Sequence, residues 1–216
     1  MKTNLPEPCL VLDGANRHGT AVGIYQNGRW LAQVAVSEGA MEATAGLVER
    51  ILLQANCKLA DIASFAVCEG PGSILGIRVT AMMARTWATQ FSRPLYVWSA
   101  LDLTAQIAQE SQVALPFLVI SESRLKKWNV LKVVDDKSVP VLAEGTAEEI
   151  LSLGLPLIST SPASVDVFPS VKVLATGWEV LPRYLALLAR ENAKPEALNP
   201  TNDFALWSGE RHRGPV

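Results

Sequence analysis

CEGPGSILGIR, residues 68–78, sets two glycines around a proline, then a serine, a third glycine and an arginine. It follows the apolar run SFAVC (64–68), which reads as a short buried strand. Beyond Ser73, the apolar residues recur at helical spacing to about Phe91. The stretch is therefore a strand-to-helix turn. Gly70 and Gly72 let the chain reverse sharply, Pro71 stiffens the turn, and Ser73 has the hydroxyl an N-cap needs. Two phosphate-binding readings fail here. A Walker loop needs GxxxxGK, but five residues separate Gly70 from Gly76 and Ile77 stands where the lysine belongs. A dinucleotide fingerprint needs GxGxxG with an acid about twenty residues on, and the stretch there, SRPLY, has none. Free N–H groups at the helix start still leave room for incidental anion binding.

Upstream, CLVLD (9–13) is an apolar run ending in an acid. GTAVGIYQNGRWLAQVAV (19–36) holds two apolar stretches split by Asn27-Gly28, a strong hairpin signal. Met41, Leu47, Val48, Ile51, Leu52 and Ala55 share one face of a helix over 41–55. Downstream, PLYVW is a strand, and Ser99 with Asp102 resembles a capping box. PFLVI and WNVLKVV read as strands, Thr146 and Glu149 form a second capping-box pattern, VKVLA is a strand, and LPRYLALLAR a helix. The tail from Asn199 has no periodicity and is expected to lie on the surface or move. The order suggests two α/β lobes, 1–108 and a smaller, divergent 109–216, with the boundary near 104–112. This is the plan of the actin-like ATPase (ribonuclease H-like) folds.

Composition bounds the function. The chain has 216 residues, 49% hydrophobic and 19% charged, which is globular and ample for a core. A net charge of -2 does not advertise nucleic-acid binding by this chain alone. Cys9, Cys57 and Cys68 are odd in number, widely spaced and without a CxxC, as expected of reduced thiols in the cytoplasm. No signal peptide or membrane span is read. With two histidines, His18 and His212, no HxxxH or HExxH pair exists, which argues against a histidine-based metal site.

The helix after the turn carries a stripe of small residues, Gly76, Thr80, Ala84 and Ala88. The preceding helix has Ala40, Ala43, Thr44 and Gly46. Such faces allow close helix approach. They suit either a subunit interface or packing within the chain.

GPGSILGIR also resembles the GPGSFTGLR signature of the TsaB (YeaZ-like) proteins of the glycoprotease-like family. LVLDGAN is similar to that family's opening strand and DTS loop, LADIASFAVCEGPGS to its run into GPGS, and RPLYVWSALDLTA to its IPLVGVSSLEALA segment. ISESRLKKWNVLKV sits where the family has a DAR motif, with Glu122 for the aspartate and Arg124 kept. The resemblance is good over about 9–110, faint over 117–134 and positional beyond. It implies the actin-like fold and a cytoplasmic, non-catalytic role in making threonylcarbamoyladenosine at position 37 of bacterial tRNAs. The implied partners are the catalytic TsaD-type subunit and a small TsaE-type ATPase, with homodimerisation when alone. tRNA would be met only within the complex and no membrane is involved. No cofactor is implied for this chain, although a nucleotide could sit at a partner interface. Pairing would use the two helices, with Gly76, Arg78, Thr80, Met83, Ala84, Trp87, Ala43, Gly46 and Leu47 at the interface. Asp13, Gly70, Gly72 and Ser73 would be the loop residues nearest a nucleotide.

The chain departs from the family at DGAN, which lacks the DTS hydroxyls, at EGAMEA, which replaces an HS pair, at ILG for FTG, and at Thr80 for a glycine. Two other classes stay open: a self-pairing paralogue with a separate role, and an actin-like ATPase or peptidase. The enzyme would need a hydroxyl-bearing phosphate loop or a nucleophile triad, and neither is visible. Asp13 either organises a metal-nucleotide site or caps a loop. Arg78 opposes the helix dipole and suggests a specific contact, such as an ion pair within the fold or across the interface, with Arg85 seven residues on. Met82, Met83 and Trp87 read as packing residues. Glu69 beside Cys68 lacks a histidine nearby in sequence, and His212 is expected to be a solvated tail residue.

Overall fold

The computed structural model of the chain describes residues 3–135, 141–174 and 177–196. The expected tail and His212 lie outside the described residues.

The first sheet starts with β1 (Cys9–Asp13), β2 (Thr20–Gln26) and β3 (Arg29–Val36), an antiparallel meander. Asn27 and Gly28 take φ 53° and 73°, the left-handed turn the NG pair predicts. Helix α1 (Ala40–Gln54) follows. Then come β4 (Ser64–Cys68), α2 (Ile74–Phe91) and β5 (Leu95–Trp98), with β4 parallel to both β1 and β5. A parallel strand requires a crossover, and α2 supplies it between β4 and β5. α1 and α2 cover one face of the sheet. Their apolar stripes meet Leu10, Leu12, Val22, Ile24, Phe65 and Val67. Each such side chain, fully buried, contributes about 1.5–3 kcal/mol.

α3 (Ala100–Glu110) spans the expected boundary and belongs to both lobes. Leu103 and Ile107 pack under the first sheet, whereas Leu101, Ala105 and Ala108 pack on the second. Ser99 caps it by accepting from the Asp102 N–H. The second sheet holds β6 (Phe117–Glu122), β7 (Trp128–Val133), β8 (Val141–Gly145), β9 (Leu157–Ser159) and β10 (Lys172–Val173), in the order β10-β9-β6-β7-β8. α4 (Ala147–Ser152) lies between β8 and β9. Its Thr146–Glu149 capping box closes at 2.7 and 3.2 Å, as the sequence predicts. Of the strand expected over VKVLA, Lys172 and Val173 form β10 and Val171 and Leu174 do not, while Ala175 lies outside the described residues.

The chain then leaves the second lobe. α5 (Pro182–Leu188) and β11 (Arg190–Glu191) return to the first sheet, where β11 adds antiparallel to β5. Leu181, Tyr184, Leu185 and Ala189 fill the face opposite α1 and α2, against Cys9, Val11, Ala66 and Tyr96. Thr3 fastens the return from the other terminus, donating its N–H to the Ala186 carbonyl at 2.8 Å and its hydroxyl to that of Ala189 at 2.6 Å. A cut at residue 108 therefore does not separate the lobes, because residues 178–191 complete the first one.

Leu185 is fully buried at this seam. Leu185→Ala is expected to cost about 2–5 kcal/mol in urea unfolding, with loss of the first lobe's structure although the residue lies in the second half of the sequence.

Candidate functional site

β1 ends at Asp13 and β4 ends at Cys68, side by side in the sheet, so the 14–19 loop and the 69–73 turn leave from neighbouring positions. Their backbones touch. A Cβ on Gly72 would strike the Ala15 carbonyl, and one on Gly14 or Gly76 would strike the other's backbone. Gly70 takes φ +101°, a region favouring glycine. The turn's glycines are thus required by close approach and by a left-handed φ, as the structural reading of CEGPGSILGIR expects. The Ser73 N–H donates to the Ala15 carbonyl at 2.7 Å, and Ser73 Oγ accepts from the Gly76 N–H at 3.2 Å. Glu69, buried, pairs with Arg190 of β11, which locks the turn to the C-terminal return.

Asp13 is half-buried and its Oδ1 accepts from the Ala15 N–H at 2.8 Å. Burial raises its carboxyl above the ordinary carboxylate range, and hydrogen bonds from Ala15 and Cys68 pull back against that rise. Cys68 beside it is buried, and desolvation together with the Asp13 charge raises its thiol well above the usual value. Cys9 is pushed up to about 12 by burial. Neither thiol is a nucleophile at neutral pH.

A cleft of about 730 Å³ opens between the lobes. Asp13, Asn16, His18, Thr20, Trp98 and Trp178 line it from the first lobe, Thr104 from α3, and Thr160 and Ser161 from the second lobe. An actin-like fold implies a nucleotide with its phosphates in such a cleft, and these residues do not fit one. No lysine or arginine lines it among the described residues. The Ser73 N–H is committed to Ala15, and the carbonyls of Gly14 and Ala15 lie against the turn where phosphate oxygens would need donors. Asp13 adds a carboxylate to the same wall, and an anion would meet repulsion.

The stripe of small residues on α2 is turned inward. Gly76, Thr80, Ala84 and Ala88 are buried, and Ala84 is part of the core against the sheet. Of the expected interface residues, Ala43 and Leu47 are buried too. Met83 and Trp87 are half-buried, and the Trp87 ring lies 6.0 Å from that of Phe65. Arg78 and Gly46 are exposed. Small residues serve packing within the chain, because an i, i+4 stripe lies on one face and that face meets the sheet. The open face of the pair carries residues the sequence reading left aside or read as packing: Met41 at 62% exposure, Leu53 at 82%, Leu75 at 59% and Met82 at 66%. Leu53, Leu75 and Met82 are apolar residues off the buried stripes, whereas Met41, expected from its spacing on the apolar face of α1, is exposed because the buried stripe runs through Ala40, Ala43, Thr44, Leu47, Val48 and Ile51 instead.

The two lobes, the β1–β2–β3 meander continued by parallel strands, and the interlobe cleft define an α/β protein of the actin-like, ribonuclease H-like class. Within that class the chain has the fold of YeaZ. It superposes on a structure of YeaZ from Pseudomonas aeruginosa with a TM-score of 0.62 at 19% identity, covering 82% of this chain and 89% of that one. A second structure, of a Pseudomonas aeruginosa protein described as similar to peptidase YEAZ, gives 0.60 at 19%, covering 81% and 88%. Residues 33–127 match the family described as TsaD, tRNA N6-adenosine threonylcarbamoyltransferase. A protein of that description from Rhizobium etli is 34% identical over 83 residues, 37% of this chain and 22% of its own length. One from Sinorhizobium medicae is 36% identical over 84 residues, covering 38% and 23%. The matches span under a quarter of those relatives. No helix among the described residues is long and apolar enough to cross a membrane.

Two predictions follow from the buried groups. A carboxyl whose folded pKa is raised stabilises the fold least once it is ionised, so the cost of Asp13 grows as pH rises through its ordinary range. Asp13→Asn is expected to match wild type in thermal melting near pH 3 and to melt higher at pH 7. For the thiols, an Ellman titration of the native protein is expected to label at most half-buried Cys57, with Cys9 and Cys68 reacting only after denaturation.

Proposed function

We propose that this chain is a partner subunit in the formation of threonylcarbamoyladenosine on tRNA, docking on a TsaD-type catalytic subunit without carrying the chemistry itself. The observation that carries the reading is the outer face of α1 and α2. Leu75 and Met82, two helical turns apart on one side of α2, stand in solvent, as does Leu53 on α1, and exposed large apolar side chains on ordered helices suit an interaction surface. Arg78 and Arg85 stand exposed on α2, a helix without an acidic residue, while α1 exposes Glu42, Glu49 and Arg50. A basic α2 beside an α1 of mixed charge gives a partner an orientation. The YeaZ fold and the TsaD-family match over 33–127, which includes both helices, support the same assignment.

A role without catalysis is supported by the chain's own chemistry. Its sequence holds no HxxxH or HExxH motif, its buried thiols are held protonated, and its cleft does not suit a polyphosphate. A TsaE-type ATPase would join the assembled pair, tRNA would be met through the complex, and alone the chain would pair with itself through the same face.

Met82→Glu places a charge on this face without touching the core. Size-exclusion chromatography with light scattering, using the TsaD-type protein of the same organism, is expected to show a complex with wild type and at least a tenfold weaker one with Met82→Glu, both proteins melting alike. An unchanged complex would move the contact off this face. No complex with wild type would sink the reading. Ala84→Arg is not a substitute for this test, because a cation forced into the core is expected to unfold the chain.

A further inference from the structure

We infer that the interlobe cleft is a binding site for a phosphate-free, nucleoside-sized ligand: a flat aromatic ring joined to a neutral, hydroxyl-bearing body. This inference does not depend on the docking surface. It starts from the disagreement between the cleft and the nucleotide its fold implies.

The cleft's volume, about 730 Å³, falls in the range of small-molecule sites. One wall offers an aromatic platform. Trp178 is stacked on Trp30 with ring centroids 4.5 Å apart and planes at 14°, and Trp30 Nε1 donates to the Trp178 carbonyl at 3.0 Å. Gly23 is required beside the pair, since a Cβ there would strike the Trp30 ring. Trp178 is thus held rigidly by a neighbour on one face while it lines the cleft. A preset ring lets an aromatic ligand extend the stack without ordering a side chain on binding.

Apart from Asp13 and His18, the polar lining is made of hydroxyl and amide groups. Ser37, Thr160 and Ser161 bring hydroxyls from both lobes toward a sugar-like body, while Thr20 and Thr104 donate to the Glu38 and Ala100 carbonyls and can only accept. The Nε1–H groups of Trp98 and Trp178, both residues of this wall, are buried and donate to no acceptor among the described residues. Buried donors without acceptors are rare in a finished core. Against this, a phosphate would meet the Asp13 carboxylate with no lysine or arginine in the lining to offset it. Ring and hydroxyls fit, and phosphates are repelled.

The test is a titration of the full chain with adenosine, AMP and magnesium ATP, followed by tryptophan fluorescence and calorimetry. Saturable adenosine binding is expected, with AMP and ATP at least tenfold weaker. Trp178→Leu is expected to weaken adenosine at least tenfold. Because that change also removes the stack on Trp30, Thr160→Phe serves as the second variant. It fills the cleft from an exposed position on the opposite lobe and is expected to block adenosine with the melting temperature unchanged. ATP or AMP binding as tightly as adenosine, no saturable adenosine binding, or undiminished binding by a folded Thr160→Phe protein would each overturn the inference.

Discussion

The backbone contact between residues 14–15 and the turn 70–76 is the constraint on which the rest of the molecule depends. Three glycines permit it, and the Ser73–Ala15 hydrogen bond at 2.7 Å fixes its spacing. It sets how far α2 can descend onto the sheet, and hence which face of that helix is buried. It also decides what the cleft can hold. Donors that would serve a phosphate in a looser arrangement are spent inside the protein, and the carbonyls of Gly14 and Ala15 take their place. One contact therefore bears on both faces of the first lobe.

α2 serves two purposes with one sequence. Its small residues lie against the core and allow the helix to settle closely on the strands. Its larger apolar residues, Leu75 and Met82, remain in solvent beside exposed arginines. A helix that only covered a sheet would gain nothing from leaving those side chains exposed. The cleft lies elsewhere, between the two lobes, so a ligand there and a partner on the helices would occupy separate surfaces.

The two ends of the chain close the first lobe together. Thr3 bonds to α5, β11 extends the sheet at β5, and Arg190 reaches buried Glu69 at the foot of the turn. Glu69 would be a costly buried charge without that partner. The second sheet is thus an excursion between α3 and α5, and folding of the first lobe waits on residues almost a hundred positions beyond its other strands.

Much of this was legible in the residues alone. The NG hairpin, the helices after Gly39 and Ser73, the Thr146 capping box and the strands of the first sheet are local matters. Turn chemistry, caps and period-3.6 patterning act within a few residues, and the structure keeps them where the sequence places them. The resemblance of GPGSILGIR and its surroundings to the YeaZ-like proteins also correctly anticipated the two-lobed fold. What the residues could not reveal was direction. An i, i+4 row of glycine, threonine and alanine has the same pattern whether it faces a partner or the chain's own sheet, and only the seating of α2 turned it inward and left Met82 outside. Nor could β11 be seen, since Arg190 and Glu191 become a strand only because β5 has an open edge to pair with. The pairing of the Ser73 N–H with the Ala15 carbonyl is likewise tertiary, for it rests on backbone groups that every sequence possesses and that only this packing brings together.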